Sequence, residues 1–182
     1  LLGWDWEPTW IQKWDGGWDT SSSILSGVIL AIEEGGERTV VNLSLGVDPK
    51  GLKDSTGSAE RTEEMVDAYG GLYSLYLASM LTRGSDFVIV QSAGNGDTSG
   101  VGMEAINNGW FCCVTEDNCE TLDNMVSKED VLNRIIIVAS ANAPDREGEY
   151  TLSKFSNNGD AATIAAPGNA IYSLKDGRYT KM

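Results

Sequence analysis

The sequence predicts an α/β fold, a parallel β-sheet with helices on both faces, and three observations carry that reading. Runs such as Val40-Val41-Asn42-Leu43, Val88-Ile89-Val90 and Ile135-Ile136-Ile137-Val138 are apolar at successive positions, as strands covered on both sides are. Segments with helical apolar period lie between them, in the alternation that builds a parallel sheet. Two strands then run into small residues and glycine, Ser44-Leu45-Gly46 and Ala93-Gly94-Asn95-Gly96, at the carboxyl edge where such sheets bind ligands. With 182 residues, the chain is one domain with a sizeable core.

Residues 1–19 hold tryptophans at 4, 6, 10, 14 and 18. Pro8 and Gly16-Gly17 interrupt any helix there, so an irregular loop folding its indoles onto the domain is expected. From Asp19 the pattern changes. Thr20 or Ser21 is placed to cap a helix whose Ile24, Leu25, Val28, Ile29 and Ile32 share one face, with Gly35-Gly36 ending it. Thr39 to Ser44 reads as a buried strand. A second helix is expected over about 58–82, carrying Met65, Val66, Leu72, Tyr73, Tyr76 and Met80, with Gly70-Gly71 as a point where it could break. Further strands are expected at 86–91, 134–139 and 162–165, the last running into Ala166-Pro167-Gly168. No internal repeat at 20–50-residue spacing is visible.

The charge balance narrows the partners. A net charge of −14 argues against nucleic acid, whose phosphates need a Lys/Arg surface, and against an anionic membrane surface. No apolar run approaches the roughly 20 residues of a membrane-spanning helix. There is no histidine, so a mechanism that needs an imidazole cannot be complete within these residues. Cys112, Cys113 and Cys119 lack zinc-site spacing. They are expected to staple a loop, Cys119 bonding one of the adjacent pair and leaving the third thiol free, which would suit an oxidising compartment. Leu1 in place of Met and an ending without an obvious stop read as cut ends, so a piece of a longer chain is expected.

Several local patterns compete for the chemistry. Asp19, Ser21 and Ser23 match the D-x-S-x-S metal-ion loop of von Willebrand A-type binding modules, but no hydrophobic strand precedes them, and small hydroxyl residues before an apolar-periodic run are ordinary helix-start residues. Val90 to Gly94 approaches the G-x-S-x-G nucleophile elbow, with Val90 where the turn needs glycine and no base for Ser92. Glu33-Glu34 and Glu63-Glu64 are solvated pairs in an acid-rich chain. The Asn95 carboxamide, just past a strand end and between glycines, is suited to hydrogen-bonding a developing oxyanion, although Gly-Asn-Gly is also turn-prone by itself.

Four segments in one order decide between these. VVNLSLG (40–46), VIVQSAGNGD (88–97), IIIVASANAPD (135–145) and FSNNGDAATIAAPGNAIYS (155–173) together closely resemble the subtilisin-like serine proteases, the subtilases. The resemblance covers about 20–175, interrupted by family-atypical insertions at 47–62 and 98–130. It implies that Asn95 is the oxyanion-hole asparagine. By the same resemblance Ser44, Leu45 and Gly46 pair with extended substrate as an added strand. Ser92, Ala93 and Gly94 would form the opposite wall of the pocket for the side chain before the scissile bond, and Pro167 would sit in the turn leading toward the nucleophile. The family's triad runs Asp, His, Ser, and neither an H-G-T-type nor a G-T-S-x-A stretch is present. The expectation is therefore a catalytic-domain segment lying between the histidine and the serine: inactive alone, from a parent that acts on polypeptide substrates and is secreted or cell-surface. Calcium is implied only by the resemblance, with no ligands assigned and no other cofactor expected. Apolar surface left bare by the absent serine helix favours self-association.

Overall fold

The computed structural model describes residues 19–35, 38–46, 57–97, 99–122, 125–175 and 178–181. The tryptophan-rich start and most of the 47–62 insertion lie outside the described residues. Helix α1 (Asp19–Glu34) leads to strand β1 (Thr39–Leu43), helix α2 (Ala59–Thr82) and strand β2 (Phe87–Ser92). Three 3₁₀ turns follow at Ala105–Asn108, Trp110–Cys113 and Asp117–Leu122, then short helix α3 (Lys128–Leu132) and strands β3 (Ile135–Ala141) and β4 (Ile164–Pro167). A hairpin, β5 (Tyr172–Lys175) with β6 (Arg178–Lys181), pairs antiparallel beyond them.

Strands β1 to β4 form one parallel sheet in sequence order, as the α/β reading expects. Register aligns Val41 with Ile89 and Ile89 with Ile135, so odd-numbered residues share one face. Leu43, Phe87, Ile89, Ile135, Ile137 and Ala139 on that face join one apolar cluster with Leu25, Val28 and Ile32 of α1 and Tyr73, Leu77 and Met80 of α2. Each valine, leucine, isoleucine, phenylalanine and methionine among them stabilises the fold by about 1.5–3 kcal/mol on full burial. Crossovers between parallel strands are right-handed, and successive steps in one direction then all fall on one side of the sheet. That places α2, the connection from β1 to β2, on this face, where α1, ahead of β1, joins the same core. The even-numbered face is less covered by the described residues: Val88, Val90, Ile136 and Val138 are half-buried, and Val40 and Ile164 are 73% and 51% exposed.

Several element boundaries shift from the sequence reading. Helix α1 already includes Asp19, so Thr20 and Ser21 lie within it rather than capping it from outside. Helix α2 runs unbroken through Gly70-Gly71. Its start is set by Ser58, in extended conformation, whose Oγ accepts from the Arg61 amide at 3.2 Å, a standard N-cap bond. At its end Gly84, with φ 84°, donates its amide to the Leu81 carbonyl at 2.9 Å. The 3₁₀ turns of the 98–130 segment pack on α2, and Phe111 meets Tyr73 with ring centroids 5.3 Å apart. The sequence reading had no elements for these turns, for α3 or for the hairpin.

Candidate active-site cleft

Both site segments lie where the strand reading puts them, immediately past the carboxyl ends of the adjacent parallel strands β1 and β2. Leu45 is half-buried between exposed Ser44 and Gly46. Across from them Ser92 closes β2, and its hydroxyl is 3.4 Å from the Leu45 carbonyl. Ala93 is fully buried and its amide donates to the Val138 carbonyl at 2.8 Å, which fixes the chain as it leaves the sheet.

Gly94 then turns the backbone with φ 102°, a region costly for any residue bearing a Cβ. Its carbonyl accepts from the Asn157 amide at 3.0 Å. Asn95 follows, exposed, and its carboxamide has no hydrogen-bond partner among the described residues. Beyond it the Asp97 amide donates to the Val101 carbonyl at 3.1 Å. The Asp97 carboxylate accepts from the Ser99 hydroxyl and, at 2.8 Å, from the Ser99 amide. Those bonds hold its pKa below the usual carboxylate range. Asn95 therefore stands on a loop anchored on both sides, with its carboxamide bonded to neither anchor.

Beneath the cleft lies a polar layer that the sequence did not reveal. Gln91 has no exposed surface; its Nε2 donates to the Gly109 carbonyl at 3.2 Å and its Oε1 accepts from the Phe111 amide at 3.0 Å. Asn157 is equally buried, and its Oδ1 accepts from the Met103 amide at 2.9 Å. Asn108 sends Nδ2 to the Ser92 carbonyl at 2.7 Å and to the Leu45 carbonyl at 3.3 Å, bridging the two strand ends. Gln91 carried a signal, a polar residue at a core-facing position of an apolar strand. Asn157 lay in a segment quoted for its resemblance without a role, and Asn108 had no local signal at all.

The cysteine staple is corrected: Cys112, Cys113 and Cys119 are free and buried. The Cys112 thiol lies 3.7 Å from the Ser92 carbonyl, whereas that of Cys113 lies 3.6 Å from the Ile106 carbonyl. Burial pushes Cys112 and Cys113 up to about 12, the neighbouring Cys112 charge adding to the effect at Cys113. Cys119 is also raised by burial, partly offset by the Ser74 hydroxyl and the Lys128 charge. These thiols supply no support for an oxidising compartment. Among the described residues no group of three or more His, Cys, Asp or Glu side chains could hold a metal ion.

Adjacent parallel strands that end side by side, with an exposed carboxamide unpaired among the described residues just beyond β2, form the edge at which open α/β sheets bind ligands. The family is shown by comparison: the model described as the subtilase family, Peptidase S8, matches residues 13–181, and the chain belongs to that family. Membership, together with the helical placement of Asp19, Ser21 and Ser23 in α1, sets aside the metal-ion binding module. Among solved structures the chain is similar to one titled S41 Psychrophilic Protease, at 19% identity and TM-score 0.45, and to Sphericase, at 19% and 0.44. Each match covers 90% of this chain and 43% of the other, so the chain spans less than half the length of either. No curated protein matches.

Proposed function

We propose that the complete protein is a serine endopeptidase, and that these residues furnish its substrate cleft and oxyanion donor. The observation that carries this reading is the Asn95 carboxamide, exposed and unpaired among the described residues, on an anchored loop at the end of β2 in a subtilase-family chain. In the reaction a serine attacks the peptide carbonyl and a histidine oriented by an aspartate moves the proton. With no histidine among the 182 residues, that triad is contributed from elsewhere in the complete protein. Asn95 Nδ2 donates to the oxygen as it gains charge, an interaction stronger in the transition state than in the ground state. Ser44, Leu45 and Gly46 offer backbone to an extended polypeptide, and Ser92, Ala93 and Gly94 form the facing wall. Calcium, a family expectation, is assigned no ligands here and no step depends on it. The proposal includes secretion of the complete protein, which the acidic balance suits.

The test uses the complete gene product with a peptide substrate. Asn95→Ala should lower kcat by about 10²–10³ with KM little changed, a magnitude established on a subtilisin and so borrowed from the family. The 182-residue chain alone should hydrolyse nothing. An Asn95→Ala protein with full kcat, or hydrolysis by the isolated chain that a serine-directed inhibitor abolishes, overturns the reading.

A further inference from the structure

The gap between the two cleft walls is already filled by this chain's own Asn108. A Cβ added to Gly46 would collide with Asn108 Oδ1, and one added to Gly94 would lie 2.5 Å from the same oxygen. The amide is thus wedged between the Cα atoms of one glycine from each wall. It is held there by its bonds to the Leu45 and Ser92 carbonyls and is only 5% exposed. The wall carrying Gly94 cannot easily retreat, since Ala93 and Gly94 are tied by backbone bonds to Val138 and Asn157. Nor is there space for the amide to swing back, because the fully buried Cys112 thiol sits 3.9 Å from Nδ2.

We infer that Asn108 is a specificity-determining residue that stops the pocket between residues 44–46 and 92–94, restricting the cleft to peptides with a small side chain, glycine, alanine or serine, before the scissile bond. This rests on the subtilase-cleft reading and deepens it. A larger side chain entering between the walls meets the amide, and displacing the amide leaves two backbone carbonyls without their donor. A methyl group asks for no such displacement.

The experiment takes the complete gene product and a series of fluorogenic peptides differing only at the residue before the scissile bond. The alanine substrate should exceed the phenylalanine one in kcat/KM by at least about tenfold, in the range that pocket fit provides. Asn108→Ala should narrow that ratio about tenfold or more by lowering KM for phenylalanine, with the alanine substrate little changed. Asn108→Leu, which keeps the bulk and loses the donors that hold it, should keep a preference for alanine over phenylalanine, weaker than that of the wild type; a folded Asn108→Leu protein that cleaves after phenylalanine as readily as after alanine would overturn the inference. A wild-type preference for phenylalanine or leucine overturns it even if no variant folds, as does an unchanged ratio in a folded Asn108→Ala protein. A complete protein that hydrolyses no peptide removes the protease reading itself, and the inference with it. Cleavage after large residues removes the inference alone.

Discussion

Cys112 and Cys113 show how far burial alone sets a side chain's chemistry. Both thiols are raised to about 12, first by loss of hydration, and for Cys112 the contact from Asn108 offsets only part of that. In the unfolded chain a thiol titrates near about 8.5, so the folded state binds these protons more tightly. Their contribution to stability is complete below the unfolded value and is lost as pH rises toward the folded one. Each thiol should therefore remove up to about 1.4 kcal/mol of stability per pH unit above about 9. Urea unfolding of the chain from pH 7.5 to 10 checks this, with Cys112→Ala and Cys113→Ala each flattening the alkaline slope. Tyr73, also raised chiefly by burial, steepens the decline at the top of that range. A midpoint independent of pH across the interval would contradict the burial seen here. No local pattern foretold it, since three cysteines within eight residues read equally well as a staple, and only the packing of the 3₁₀ turns on α2 separates their directions.

Helix α2 poses a sharper problem for sequence reading, because two adjacent glycines in it have opposite roles. A helix-interior glycine costs about 0.5–1 kcal/mol relative to alanine. At Gly71 an added Cβ would meet only the Asn118 carbonyl, at an ordinary 3.8 Å. At Gly70, which is buried, it would collide with the Cys113 carbonyl and the Asn118 amide. The pair that suggested a break is instead a seat for the insertion: Asn118 Nδ2 donates to the Cys113 carbonyl at 2.8 Å directly against the bare Gly70 backbone. Gly71→Ala should stabilise the chain by about 0.5–1 kcal/mol and Gly70→Ala should destabilise it by about 1–3 kcal/mol, read from denaturant midpoints. Two changes of the same sign would show that the turns do not pack on α2 this closely. The strands were legible because consecutive branched residues such as Ile135-Ile136-Ile137 have few alternatives. The cleft segments were legible because small residues and glycine follow them at once. The Asn108 wedge was not, since it depends on a contact between residue 108 and residues 45 and 92 that no local period encodes.

At the scale of the whole molecule the two faces of the sheet are unequal among the described residues, and the inequality has a consequence in solution. The odd face is buried under one apolar cluster, while the even face presents Val40 and Ile164 largely open, with half-buried Val88, Val90, Ile136 and Val138 between them. A contiguous apolar face of this kind is unusual on a soluble monomer and favours association. Opposing it is a net charge of −14, which makes two copies repel at low ionic strength. Screening decides the balance: the Debye length falls from about 30 Å at 0.01 M salt to about 10 Å at 0.1 M, while burial of apolar area is little affected. The 182-residue chain should therefore be closer to its 19.6 kDa monomer at low salt and gain mass with added salt and with protein concentration. Multi-angle light scattering over both variables measures this. Val40→Lys and Ile164→Lys change exposed positions on opposite edge strands, so they should cost little folding stability while lowering the associated fraction. A chain that stays monomeric at high salt and high concentration would mean that the even face is covered, and that the strands pack more evenly than their register implies.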